Sequence, residues 1–176
     1  MTDLNWDAEF TDHFTRSARS MRFTAYLLCG NWSEAEDVVQ AAFLKLYLAG
    51  PRVARREGLD AYLRRIVVRT FITERRRVRW RRERLVEEPP ELPEAGPSSE
   101  VRIVLWQALG SVPPRQRAVL VLRYWHDLTL EGTAAVLGCS VGTVKSQGNR
   151  GLAALRRRLG PGFDELRMEV HRGAGG

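Results

Sequence analysis

LTLEGTAAVLGCSVGTVKSQGNRGLAALRRRL, residues Leu128 to Leu159, spells two short helices and the turn between them. Leu130, Ala134 and Leu137 recur at helical spacing, and Gly138-Cys139-Ser140 supplies a turn glycine followed by a good N-cap. A second helix is predicted from Val141. Val144, Gly148, Gly151, Leu152 and Leu155 fall on one of its faces, and Gly142, Lys145, Ser146 and Asn149 on the other. Such a pair is a helix-turn-helix, whose second helix lies in the DNA major groove with its N-terminal residues at the base edges. Small residues there permit close approach. Lys145 and Arg150 suit phosphate or guanine, Asn149 suits adenine, and Ser146 can serve several bases. The alternative on spacing alone is an ordinary helical hairpin with a solvated polar face.

Charge argues for the nucleic-acid reading. The 176-residue chain carries a formal net charge of +7, which favours a polyanionic partner. Cys29 and Cys139 lie far apart, with neither a CxxC spacing nor a histidine cluster, so both are expected to be reduced packing residues. The start, MTDLNWDAEF, is acidic, and no apolar run approaches the ~18 residues of a membrane span. A cytoplasmic protein without membrane insertion is expected.

Taken in order, residues 1–51 hold seven acids against four bases, a net of −3. A helix is predicted from about Asp7 to Cys29, with Phe10, Phe14, Met21, Ala25 and Leu28 on one face and Gly30-Asn31 as its stop. Ser33 is the expected next N-cap, with Glu36 completing a capping box. Val38, Ala41, Ala42, Leu46 and Leu48 then form the buried stripe up to Gly50-Pro51. The acids of this second helix are either a solvated face or a docking face for a basic protein surface.

Residues 52–84 invert the charge, with 13 arginines against four acids, a net of +9. Pro51 to Gly58 reads as a loop, and a helix is predicted from Leu59 to Arg84. Leu63, Ile66, Val67 and Phe71 can bury, while Arg64, Arg65, Arg75, Arg76, Arg79 and Arg82 are expected outside. Trp80 among arginines suits stacking on single-stranded or melted nucleic acid, or else packing beneath arginine stems. Residues 86–99, VEEPPELPEAGPSS, hold four prolines and four acids and read as a flexible linker. Fully extended, it spans roughly 43 Å. A second helical unit is predicted from Glu100, with Val101, Val104, Leu105, Ala108 and Leu109 on one face, broken at Ser111-Val112-Pro113-Pro114. The next helix, Arg115 to Tyr124, should bury Ala118, Val119, Leu122 and Trp125 and turn Arg115, Arg117 and Arg123 outward. The tail, 160–176, is glycine-rich and expected to be disordered.

No catalytic set is evident. His13, His126 and His171 are scattered, and there is no phosphate-binding glycine loop, nucleophile elbow, or carboxylate pair at metal spacing. No cofactor or metal is expected.

These strings resemble an extracytoplasmic-function (ECF) sigma factor, the small two-domain class of bacterial RNA polymerase specificity subunits, of an actinobacterial sigma-E-like group. AEDVVQAAFLKLY, Ala35 to Tyr47, resembles the family's second-region helix; LDAYLRRIVVRTFITERRRVRW resembles the helix after the promoter-melting loop; and ALGSVPPRQRAVLVLRYWHDLTLEGTAAVLGCSVGTVKSQGNRGLAALRRRL resembles the fourth region nearly end to end. The resemblance implies an all-α protein of two small helical domains. A region 2-like domain at 1–85 docks on core polymerase and recognises the minus 10 element; the linker follows at 86–99, and a region 4-like helix-turn-helix domain at 100–159 recognises the minus 35 element. It further implies that Asp37, Gln40 and Leu44 dock on the clamp helices of the large polymerase subunit. Arg55 and Arg56 in the capture loop, with Arg69, Thr73, Arg76, Arg77 and Trp80 on the following helix, would contact the minus 10 element. Ser140, Thr143, Lys145, Ser146, Asn149 and Arg150 would read the minus 35 element. An anti-sigma partner is a family expectation. The chain departs from the family's usual Asn at Arg69, its frequent acid at Thr73, and its common Glu at Gly132, where glycine costs the helix about 1 kcal/mol. The rival function is a stand-alone helix-turn-helix regulator, which the C-terminal half alone would fit.

Overall fold

The computed structural model describes residues 3–77 and 99–163. The described elements are helices: α1 (Asp3–Cys29), α2 (Trp32–Glu57), α3 (Leu59–Arg77), α4 (Ser99–Ser111), α5 (Pro114–Leu120), α6 (Leu130–Leu137) and α7 (Val141–Leu159). Trp80, most of the linker, and the tail beyond Phe163 lie outside the described residues.

Helices α1, α2 and α3 pack around Tyr26, Leu28, Leu46, Leu63, Val67 and Phe71, all fully buried. The turn between α1 and α2 is capped one step earlier than Ser33. Asn31 is the N-cap, its side-chain oxygen accepting from the Glu34 amide at 2.9 Å, because Trp32 already stacks on Tyr26 with ring centroids 4.4 Å apart and so belongs to the helix. Leu48 is 72% exposed, contrary to the expected stripe; two residues after Leu46, it has rotated past the packed face. Pro51 to Glu57 are helical where a loop is expected. Gly50, at φ 72° and ψ 175°, kinks the chain, and Pro51 then opens a new helical turn, the position where its missing N–H costs nothing.

The second half begins at α4. Ala108, Leu109 and Val112 are buried, whereas Val104, expected on the packed face, is 48% exposed. Helix α5 does not continue to Tyr124 as an α-helix. It widens into a π-helical turn over Val121–Trp125, with the His126 amide donating to the Val121 carbonyl at 3.2 Å. That extra residue swings Trp125 out of the expected core; it is half exposed and lies on Phe23 of α1, centroids 4.7 Å apart. The short helical turn after α7 carries Phe163 into the core, under the Arg156 guanidinium.

The two halves pack on one another. One apolar cluster runs from Trp6 of α1 through Leu63 and Val67 of α3 to Leu109, Leu122, Leu155 and Phe163. Phe23 and Tyr26 pack edge-on against Trp106 of α4, with centroids at 5.8 and 6.0 Å. Arg117, expected outward, is only 5% exposed. Its guanidinium reaches carbonyls that a helical-wheel reading cannot place: Val112 and Gly110 at the end of α4, and Leu28 in the last turn of α1, the last at 2.5 Å. Arg64 is likewise half-buried rather than outside, its Nε without a hydrogen-bond partner.

His126 sits at the seam, its Nε2 3.0 Å from Thr24 Oγ1. Burial, reinforced by the nearby Arg64 charge, lowers its pKa from 6.5 to about 4. Above pH 6.5 the ring is neutral in folded and unfolded chains alike. Between 6.5 and about 4 the unfolded chain takes up a proton that the folded chain refuses, so stability falls with pH through that window. A loss on the order of 2 kcal/mol at pH 5 is expected. Melting temperatures at pH 7 and pH 5 check this: His126→Gln, which keeps a neutral partner for Thr24, should lose less than the parent chain, and equal losses would remove His126 from the account.

Candidate nucleic-acid and polymerase interfaces

Helices α6 and α7 form the expected helix-turn-helix. Thr129 caps α6, its hydroxyl accepting from the Gly132 amide at 3.0 Å. Gly132 is therefore the third residue of the helix, where a glutamate would complete a capping box. Gly138 closes α6 in the left-handed conformation, φ 64°, which favours glycine. Ser140 then caps α7, accepting from the Thr143 amide at 3.1 Å, with its hydroxyl 2.9 Å from that of Thr143.

Val144, Gly151 and Leu155 of α7 are buried. Lys145, Ser146, Asn149 and Arg150 lie on the opposite, exposed face, with Ser140 exposed and Thr143 half-buried at its start. All six expected upstream-reading residues are thus brought together over about three turns. Two of these six side chains are committed locally: the Ser140 hydroxyl caps the helix and the Thr143 hydroxyl pairs with it, so their first role is to fix the helix start.

On the first half, Asp37, Gln40 and Leu44 share the outer face of α2, and Leu44 is 59% exposed. Phe14, Tyr47 and Leu48 extend that face as exposed apolar surface. Phe14 packs on Phe43 at 4.6 Å between ring centroids, and Tyr47 donates its hydroxyl to Asp7 at 2.9 Å. Sequence reasoning placed Phe14 and Leu48 in the core because period alone does not fix how wide a buried stripe is.

Along α3, Arg69 and Thr73 are exposed and line a cavity of about 320 Å³ with Lys45, Tyr62, Arg65, Ile66, Thr70 and Glu74. Lys45 donates to Thr70 Oγ1 at 3.0 Å, and the Arg65 guanidinium lies 5.0 Å from the Tyr62 ring centre. Arg69 does not point free into solution; its guanidinium reaches the carbonyls of Val136 and Ala135 in α6. Arg55 and Arg56 belong to the helical stretch after the Gly50 kink, and Arg76 and Arg77 to the end of α3.

Residues 13–81 match the family model for sigma-70 region 2, and residues 108–157 that for sigma-70 region 4. The RNA polymerase sigma-E factor of Streptomyces avermitilis is 35% identical over 158 residues, covering 86% of this chain and 85% of the relative. The chain belongs to the ECF RNA polymerase sigma factors. The sigma-E factor of Streptomyces antibioticus is 39% identical, covering 72% of this chain and 71% of its own length. Among solved structures, a sigma factor RpoE from Bartonella quintana, crystallised with the anti-sigma factor NepR, superposes with a TM-score of 0.66. At 22% identity over 86% of this chain and 96% of that one, the likeness concerns the fold. As a sigma factor, the protein binds core RNA polymerase and promoter DNA and directs initiation to promoters. None of the helices of the described residues is long and apolar enough to cross a membrane.

Proposed function

We propose that the sigma factor is a non-catalytic, cytoplasmic subunit whose two reading surfaces are divided between its halves. Helix α7 reads the minus 35 element through Ser140, Thr143, Lys145, Ser146, Asn149 and Arg150. Helix α3 and the segments on either side of it serve the minus 10 element through Arg55, Arg56, Arg69, Thr73, Arg76, Arg77 and Trp80. The α2 face of Asp37, Gln40 and Leu44, widened by Leu48 and Phe14, docks on the clamp helices of the large polymerase subunit, and an anti-sigma factor competing for the same polymerase would have this face to cover. The domain division at 1–85, 86–99 and 100–159 belongs to this proposal.

The observation that carries it is the split face of α7, buried through Val144, Gly151 and Leu155 and exposed through Lys145, Ser146, Asn149 and Arg150. Mapping transcription starts with core polymerase, with and without the purified chain, tests the proposal; runoff indistinguishable from core alone would sink it. Lys145→Ala and Arg150→Ala should each weaken use of the upstream element. Where the lost contact is to phosphate, the slope of log affinity against log salt should fall by about 1. Unchanged promoter use in both variants would take them out of the site.

A further inference from the structure

Five glycines fall between Leu130 and Leu155, and four of them meet a close neighbour within the chain. A Cβ would stand 3.3 Å from Thr129 Oγ1 on Gly132, 3.4 Å from Val119 Cγ1 on Gly148, and 3.1 Å from Leu120 on Gly151. On Gly138 it would stand 3.3 Å from Arg69 Nη2, and that residue also holds the left-handed turn at φ 64°. Gly142 is different. It lies inside α7, where the backbone is helical and suits any side chain, and a Cβ there would meet only Ser140 Oγ, at 3.8 Å. Glycine is the poorest helix former after proline. No described residue requires it at this position, although a better helix former would fit.

The position faces outward. Gly142, Lys145, Ser146 and Asn149, spaced by three, four and seven residues from the first, form one exposed stripe along α7, and Gly142 heads it. Residues at this end of a reading helix are the ones that meet base edges. The hydroxyls on either side, of Ser140 and Thr143, are turned toward one another at 2.9 Å, so what Gly142 itself presents outward is bare Cα carbon. We propose that Gly142 is a specificity-determining residue: the space left by its missing side chain receives the C5-methyl of one thymine in the upstream element. This rests on the reading of α7 as the minus 35 helix. The thymine methyl is the one apolar group that a base pair carries into the major groove, and the polar ends of Lys145, Ser146 and Asn149 offer it no apolar partner. A methyl added to the protein at Gly142 and the methyl of the thymine would then compete for the same space. The helix gives up stability at this residue for contact with DNA.

Gly142→Ala in the full chain, with core polymerase, tests this against a promoter duplex mapped with the parent protein. A second set of duplexes replaces each thymine of the upstream element, one at a time, with deoxyuridine, which lacks only the methyl. The melting temperature of the free Gly142→Ala chain should stay level or rise by up to about 3 °C; a clear fall would overturn the premise that the chain has room for the side chain. On the thymine duplex the variant polymerase complex should bind about tenfold more weakly than the parent complex. At one thymine, and only there, deoxyuridine should restore most of that loss to Gly142→Ala while weakening the parent. Binding by Gly142→Ala within twofold of the parent on the thymine duplex overturns the proposal, and a loss that no single deoxyuridine relieves overturns the assignment to a thymine methyl. Lys145→Ala on the same duplexes separates this inference from the reading beneath it. If Lys145→Ala weakens binding and Gly142→Ala does not, the Gly142 inference falls alone; if neither does, the reading of α7 as the minus 35 helix falls with it.

Discussion

Arg117→Ala is expected to destabilise the sigma factor by about 3 kcal/mol, more than any other single truncation of a charged side chain in the described residues. Three carbonyls depend on this guanidinium: Leu28 at the end of α1, and Gly110 and Val112 at the end of α4. All three lie where a helix has run out of its own donors, and the side chain that serves them is 5% exposed. Truncation leaves these acceptors without their charged donor and opens a cavity beneath Phe71, whose ring centre lies 6.0 Å from the guanidinium carbon. At roughly 3 °C per kcal/mol for a chain of this size, the melting temperature should drop by about 10 °C. Arg117→Lys should recover little, since one ammonium cannot fork to carbonyls on two helices. A thermal melt of Arg117→Ala within 3 °C of the parent would show that water takes over the carbonyls.

That residue also marks where the sequence stops being legible. Arg117 occupies an outward position on the wheel of its own helix, and only the arrival of α1 and the end of α4 makes the position interior. Arg64, beside His126 of the other half, and Trp125, turned out of the expected core by the π-turn onto Phe23, likewise depend on parts of the chain remote from their own helix pattern. Features that depend on near neighbours were legible: Gly138 ends α6, Ser140 caps α7, and the polar face of α7 follows from spacing. Asp37, Gln40 and Leu44 were singled out by the family resemblance alone, and all three are exposed on α2. Asn31 displaced Ser33 as a cap because a tertiary stack, Trp32 on Tyr26, moved the helix start. The packing of the two halves on one another was the least accessible, because a proline- and glutamate-rich connector says how far two bodies can separate and nothing about whether they do.

Gly151→Val should separate stability from simple helix propensity in the reading helix. In an exposed helix interior, replacing glycine removes a cost of about 1 kcal/mol. Gly151 is buried, however, where α7 crosses α5, and a Cβ there would stand 3.1 Å from both Cγ and Cδ1 of Leu120 and 3.4 Å from Cβ of Gln116. Leu120 is itself 4% exposed and part of the shared core, so it has little room to give. Valine adds two further methyl groups beyond that Cβ. Overpacking of this kind costs about 1 to 3 kcal/mol, and relief comes by tilting α7 away from α5, which also displaces the exposed Lys145, Asn149 and Arg150. Gly148, one turn earlier, provides the control. Its Cβ would meet Val119 Cγ1 at 3.4 Å, an ordinary contact, so Gly148→Ala should leave stability unchanged or raise it by up to about 1 kcal/mol. Denaturation midpoints and minus 35-dependent promoter binding with core polymerase check the pair together: Gly151→Val should lose about 2 kcal/mol or more and bind at least tenfold more weakly, while Gly148→Ala stays folded and binds as the parent does. If Gly151→Val matched Gly148→Ala in both measurements, the close crossing of α7 on α5 would not be what aims the reading face at DNA.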